Sequence, residues 1–179
     1  MYDFPIWNWH LFPKNVLVFS SAGGGDLAIP LLCGDFGIMH RMKDIQLSFM
    51  GSLGGPSDRN GVRSRMYAAL NGSAYFGKGS NWKNIMSRSV FSLCPRGQAP
   101  ASFRLYEALA LGSIPVYIWD DIEWLPYQDE LNWPEFSISI HIDLIHDLPS
   151  ILASISPNRI ELMQKRIEDI RHYFTMDMT

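Results

Sequence analysis

The stretch "SRSVFSLCPRGQAPASFRLYEALALGSIPVYIWDD", Ser87 to Asp121, decides how the chain is read. Its apolar run "VFSLC" predicts a strand, closed by the loop Pro95-Arg96-Gly97. Ser102 then suits the N-cap of a helix over 103–111, and Gly112 suits its stop. "SIPVYI" predicts a second strand. A strand, a glycine-bearing loop, a helix and another strand make up the repeating unit of a parallel sheet. The predicted helix is apolar or small except for Arg104 and Glu107, which stand three residues apart.

The same alternation extends outward in both directions. "DIQLSFMGS" (44–52) predicts a strand running into the loop "GSLGGPSDRNG", and 62–70 turns helical. "NWKNIMSRS" predicts a short helix before the central strand. "NVLVFSS" (15–21) predicts a strand ended by three glycines, and "LAIPLLCGDFG" an extended or looped segment, since Pro30 disfavours a central strand. Beyond the central stretch comes an acidic-aromatic loop, "WDDIEWLPYQDELNW", then the strand candidate "EFSISIHI". Two helical segments close the chain. The second starts at Pro157 and carries the stripe Ile160, Met163, Ile167 and Ile170, which predicts core. The fold expected is α/β, a Rossmann-like parallel sheet with helices on both faces.

Length and composition fit that expectation. The chain has 179 residues, 47% apolar and 18% charged, which suits one packed core. A net charge of -3 with interspersed signs gives no bulk attraction for nucleic acid. No run of 18 apolar residues is present, so no membrane segment is expected in this chain. The opening residues lack the basic start, apolar centre and cleavage site of a signal peptide. Cys33 and Cys94 are too few for a disulfide framework and leave the redox compartment open.

In open parallel sheets, ligands sit beyond the carboxyl ends of the strands. Two loops qualify, 51–61 and 95–102. Their glycines let backbone approach a ligand, and the helix start that follows offers unpaired N–H groups. Arg96 and Arg104 place positive charge where the helix dipole is already positive, a mismatch that an anion such as a diphosphate would answer. Glu107 shares the Arg104 face of the helix. The pair reads either as an ordinary i,i+3 ion pair or as a phosphate-facing Arg with a ribose-binding Glu. "GQAPAS" is neither a dinucleotide fingerprint nor a P-loop, so the spacing implies an anion or nucleotide pocket and goes no further.

The stretch resembles the signature of the exostosin glycosyltransferases. That pattern is met by Ser89, Phe91, Leu93, Pro95 and Gly97, then Ser102, Arg104, Glu107 and Ala108, then Gly112, Ile114, Pro115 and Val116. "IQLSFMGS" and "LPYQDELNWPEFSISI" resemble the family's flanking segments, so the likeness covers about 44–175. The resemblance implies one half of a GT-B fold, with sugar transferred by inversion from a nucleotide-sugar, a UDP-sugar, to a glycan hydroxyl. No metal or other cofactor is expected. It assigns Arg104 to the diphosphate, Glu107 to the ribose and Ser102 to the phosphates. Gly51 and Gly97 would lie at the nucleotide, with Arg96 beside them and Arg59, Arg63 or Arg65 as lesser candidates.

The domains expected are 44–179 for nucleotide-sugar binding and 1–43 as a lead-in, the remnant of an acceptor-side domain. A missing acceptor domain or second subunit is the expected partner, and the catalytic base is unassigned, with Asp26 and Asp35 in the remnant. The chain is then a fragment of a larger enzyme, or a non-catalytic nucleotide- or partner-binding relative. Family members are Golgi proteins with an N-terminal anchor, so a Golgi location follows from kinship only.

Other residues carry less. Asp120-Asp121 suits either a divalent cation or an acidic turn capping a short helix at Ile122. His141 and His146 are five apart, a poor spacing for sharing a metal. His10 and His40 fall in loops, and the Trp7/Trp9 pair suits packing better than sugar stacking.

Overall fold

The structure, a computed structural model, describes residues 13–21, 25–37 and 41–176. Two short strands come first, β1 (Phe19–Ser20) and β2 (Leu27–Ala28), paired in parallel with each other. A third, β3 (Cys33–Gly34), leads toward the main domain. There follow β4 (Ile45–Met50), α1 (Val62–Leu70), β5 (Tyr75–Gly77), α2 (Trp82–Arg88) and β6 (Ser89–Pro95). Next are α3 (Phe103–Ala110), β7 (Ile114–Trp119) and β8 (Ile138–His141). The chain closes with α4 (Leu148–Ser154), α5 (Pro157–Ile170) and β9 (Thr175–Met176).

Five strands form the central sheet in the order β5-β4-β6-β7-β8, and every pairing is parallel. All seven residues of β6 are buried, which is why its sequence runs apolar without alternation. The hydroxyls buried in this sheet answer one another across strands, Ser48 Oγ with Ser89 Oγ and Ser92 Oγ with Ser113 Oγ, each at 2.7 Å. Gly112 takes a φ of +69° at the end of α3, a left-handed stop that a side chain would resist.

The order of the strands positions the site. From β4 the chain crosses by α1 to β5, on one side; from β6 it crosses by α3 to β7, on the other. Right-handed crossovers, the general rule, put α1 and α3 on opposite faces of the sheet. The topological switch therefore falls between β4 and β6, and the crevice for a ligand lies outside their carboxyl ends.

The lead-in is tied to the far end of the chain. β3 pairs in parallel with β9, and the Asp35 carboxylate meets the Arg171 guanidinium at 2.9 Å. Both cysteines are free and buried. In α5, Met163, Ile167 and Ile170 are buried and Ile160 is partly so, as the stripe predicted.

Several expectations are corrected. The strand expected over 15–21 is two residues long, and among the described residues it pairs with β2 alone. β5 was not anticipated, because three residues between glycines and serines carry no periodicity. The strand candidate "EFSISIHI" is four residues long, since Trp133–Glu135 forms a 3-10 turn instead. No helix starts at Ile122; Asp121 accepts a hydrogen bond from the Ile122 N–H at 2.7 Å within a non-helical loop. Trp7, Trp9, His10 and His40 lie outside the described residues.

Candidate functional site

A cavity of about 550 Å³ opens at the switch point. Gly51 and Ser52, just past β4, line one side, and residues 97–99 and 101–104, from Gly97 to Arg104, line the other. Arg63 reaches it from α1, and Glu107 from α3. Of the six residues that the sequence assigned to binding, five line this cavity: Gly51, Gly97, Ser102, Arg104 and Glu107.

Arg96 is the exception. Its side chain is completely buried and its guanidinium closes on both Asp120 and Asp121. Burial opposes its charge, but the two carboxylates outweigh that and hold its pKa above the ordinary arginine value. Asp120 also accepts from Asn60 Nδ2 at 2.6 Å, and its backbone carbonyl meets His141 Nε2 at 2.7 Å. The β4–α1 loop and the ends of β6, β7 and β8 are thus laced together. Of the two readings left open for Asp120-Asp121, neither a cation site nor a helix cap describes the pair, which closes on Arg96 as an ion cluster.

Arg63 was one of three lesser candidates, and it alone of the three lines the cavity. Arg59 donates to the Gln98 carbonyl at 3.3 Å, and Arg65 pairs with Asp143 at 2.5 Å on the outer surface. Two carbonyls hold the Arg63 guanidinium, Ser52 O at 2.9 Å and Arg96 O at 3.2 Å. Its Nη2 lies 3.7 Å from where a Gly97 Cβ would stand. Burial lowers the Arg63 pKa; the Asp58 carboxylate opposes that fall and the like charge of Arg104 adds to it. Two guanidiniums thus share one cavity and repel across it.

Arg104 is braced on three sides. Its Nη1 meets Glu107 Oε2 at 2.5 Å, the Trp82 ring centroid lies 4.8 Å from its Cζ, and the Met86 sulfur stands at 4.0 Å. Both side chains of the ion pair stay partly open to solvent, at 24% and 17%. They face the cavity and are not on an open outer surface. Burial raises the Glu107 pKa, with the Arg104 charge pulling it back.

Ser102 occupies the N-cap position of α3 with extended backbone, φ -127° and ψ 120°, but its side chain makes no capping bond. Its Oγ is buried and has no hydrogen-bond partner, although the residue borders the cavity. A buried hydroxyl left unpaired costs on the order of 1–3 kcal/mol, so the position favours an acceptor arriving from the cavity.

The remaining candidates have structural roles. His141 accepts from the Asp143 N–H at Nδ1, 3.2 Å, so both of its nitrogens are engaged; His146 is exposed. Asp26 accepts from the Val18 N–H at 2.8 Å, and Asp35 holds Arg171, so neither carboxylate enters this cavity.

Fold and site define a Rossmann-like α/β domain with a cationic cavity at the switch point of its sheet. The Exostosin GT47 domain model matches residues 36–155, and the chain belongs to that family. It is 33% identical over 112 residues to the probable glucuronoxylan glucuronosyltransferase IRX7 of Arabidopsis thaliana, covering 60% of this chain and 25% of the relative. It is 43% identical over 82 residues to the probable beta-1,4-xylosyltransferase IRX10 of the same plant, covering 46% and 19%. The aligned part is therefore a quarter or less of these relatives' length.

Two solved structures share the fold. TarM superposes with a TM-score of 0.55 at 10% identity, covering 95% of this chain and 42% of that one. The pneumococcal O-GlcNAc transferase GtfA, in complex with UDP and GlcNAc, gives 0.51 at 14% identity, covering 85% and 37%.

Proposed function

We propose that residues 44–179 form the donor-nucleotide half of an inverting GT-B glycosyltransferase, which moves a sugar from a UDP-sugar to a glycan or polysaccharide hydroxyl. The observation that carries this reading is the unpartnered, buried Ser102 hydroxyl at the start of α3, in a residue that lines the cavity along with Arg63 and Arg104. A diphosphate there accepts from Ser102 Oγ and from the first N–H groups of the helix, and its charge answers both guanidiniums. Glu107, held by Arg104, accepts from the ribose hydroxyls, and Gly51 and Gly97 leave backbone open to the nucleotide.

In the reaction, the acceptor oxygen attacks the anomeric carbon while the bond to the diphosphate oxygen breaks. The nucleoside diphosphate leaves with that electron pair. This domain positions the donor and stabilises the departing charge, the two contributions that fixed cations and helix N–H groups make best. No metal or cofactor takes part in this reading. Kinship to a probable glucuronoxylan glucuronosyltransferase and a probable xylosyltransferase supports a polysaccharide acceptor, and a Golgi location follows only from the family resemblance. Residues 1–43 belong, in the same reading, to the acceptor side, completed by a further domain or subunit.

One observation favours a second reading, a nucleotide-binding domain without turnover of its own. Among the described residues, Glu107 is the only carboxylate lining the cavity, and Arg104 already holds it. The base that takes the acceptor proton then comes from elsewhere. Donor hydrolysis by this chain alone would remove that reading.

Calorimetric titration with UDP, UMP and uridine tests the site itself. UDP is expected to bind at least about tenfold tighter than UMP, or ~1.4 kcal/mol, with uridine weakest. Equal affinities for the three would overturn the diphosphate assignment.

A further inference from the structure

A second cavity, of about 470 Å³, is bordered by the same lead-in segment as the first. Phe19, Leu27 and Ile29, on and beside the β1–β2 ribbon, line it together with Trp124, Asp129 and Glu130, in the loop after β7. The same lead-in borders the first cavity through Ser21 and Leu31. The lead-in over 19–31 thus contributes described residues to both cavities.

Its lining differs in chemistry from that of the first cavity. Phe19, Leu27 and Ile29 keep 56%, 44% and 39% of their surface exposed, so the wall presents bare apolar carbon. The Trp124 indole N–H is engaged by the Ser20 carbonyl at 3.1 Å, which leaves the ring without a free donor. Asp26 and Glu123 have partners in Val18 N–H and the Ser139 hydroxyl. Asp129 and Glu130 are exposed, make no ion pair among the described residues, and no Lys or Arg lines the cavity.

The cavity thus offers apolar faces and hydrogen-bond acceptors, with fixed negative charge and no cation. A fitting ligand brings donors and C–H faces of its own and carries no negative charge. Sugar rings have that chemistry: hydroxyls donate to carboxylates, and the C–H faces lie on aromatic and aliphatic side chains. A lysine-rich peptide would also satisfy the carboxylates, but it gives no reason for the bare apolar wall or for a lead-in that borders the donor cavity as well.

We propose that this second cavity is the acceptor subsite and that it selects an uncharged stretch of glycan, rejecting one that carries a uronate there. The proposal rests on the glycosyl-transfer reading of the first cavity. Like-charge contact with Asp129 and Glu130 is what rejects the uronate, since an unpaired charge facing two carboxylates has no compensating cation.

The test is a titration of the full chain, saturated with UDP, with an unbranched xylan tetrasaccharide and with a xylan tetrasaccharide carrying one glucuronate branch, followed by NMR. The uncharged chain is expected to bind at least about tenfold tighter, and Phe19→Ala to weaken it severalfold. The double variant Asp129→Asn/Glu130→Gln is expected to bring the two ligands within about twofold of each other. Equal binding of both by the unaltered chain would overturn the proposal. So would binding of a lysine-rich peptide with neither sugar bound, or sugar binding unchanged in both variants. UDP affinity is measured on every variant: loss of sugar binding with UDP retained counts against the acceptor subsite alone, and absence of UDP binding in the unaltered chain counts against the donor reading alone.

Discussion

The Arg104 guanidinium meets the Glu107 carboxylate at 2.5 Å on the face of α3 that borders the larger cavity. The pair is neither buried away nor solvated on an outer face, so each side chain can turn to a ligand without breaking the fold. Removing the charge of Glu107 while keeping its shape separates its two roles. Glu107→Gln is expected to bind UDP somewhat more weakly and to lose its preference for UDP over 2′-deoxy-UDP. Parallel calorimetric titrations check this, and a preference equal to the parent's would show that the carboxylate does not read the ribose.

Arg96 is expected to matter through stability. Deleting the guanidinium leaves the largely buried Asp120 carboxylate with Asn60 alone and the more exposed Asp121 to solvent, so Arg96→Met should unfold at a lower urea concentration. Adding Asp120→Asn and Asp121→Asn should recover a large part of that loss. No recovery would mean that the guanidinium acts by packing, not by charge.

Gly51 carries a steric prediction. A Cβ there would come within 2.8 Å of the Phe49 ring tip, so Gly51→Ala should lower stability by about 1–3 kcal/mol. Phe49→Leu in the same chain should relieve part of that strain, which urea midpoints would register. The need for glycine at this position arises from the neighbouring ring, whatever the cavity holds.

Lys43 supplies a pH test. Burial lowers its pKa from 10.5 to about 8 while its Nζ donates to the Gly112 carbonyl at 2.8 Å. Below pH 8 the amine is charged in both folded and unfolded chains, and the burial penalty is fully present. Between about 8 and 10.5 the unfolded chain holds the proton more tightly, so this group's contribution to stability rises with pH. The unfolding midpoint of the parent should therefore rise relative to Lys43→Gln across that window. A constant difference would contradict it.

How much of this was legible in the sequence depended on the range of the interaction. β4, β6 and β7 are six or seven residues of nearly continuous apolar character, and α3 has both a cap residue and a glycine stop. Those local signals sufficed for the three central strands and for the two loops at the cavity, and the family resemblance singled out five of its residues. Arg96 was misread because its partners lie 24 and 25 residues on, at the end of the adjacent strand. Parallel register, which no local pattern records, brings them together. Arg63 was indistinct from Arg59 and Arg65 for a similar reason: only the fold shows which of the three turns inward. The edge strand β5 gave no signal because three residues cannot establish a period.

The most direct test is the affinity of UDP for the parent chain and for Arg104→Ala, measured side by side by calorimetry. Loss of a charge-assisted hydrogen bond to the diphosphate predicts a weakening of about 1.5–3 kcal/mol, roughly tenfold to a hundredfold in Kd. The same affinity in both proteins would contradict the assignment of this cavity to the donor nucleotide.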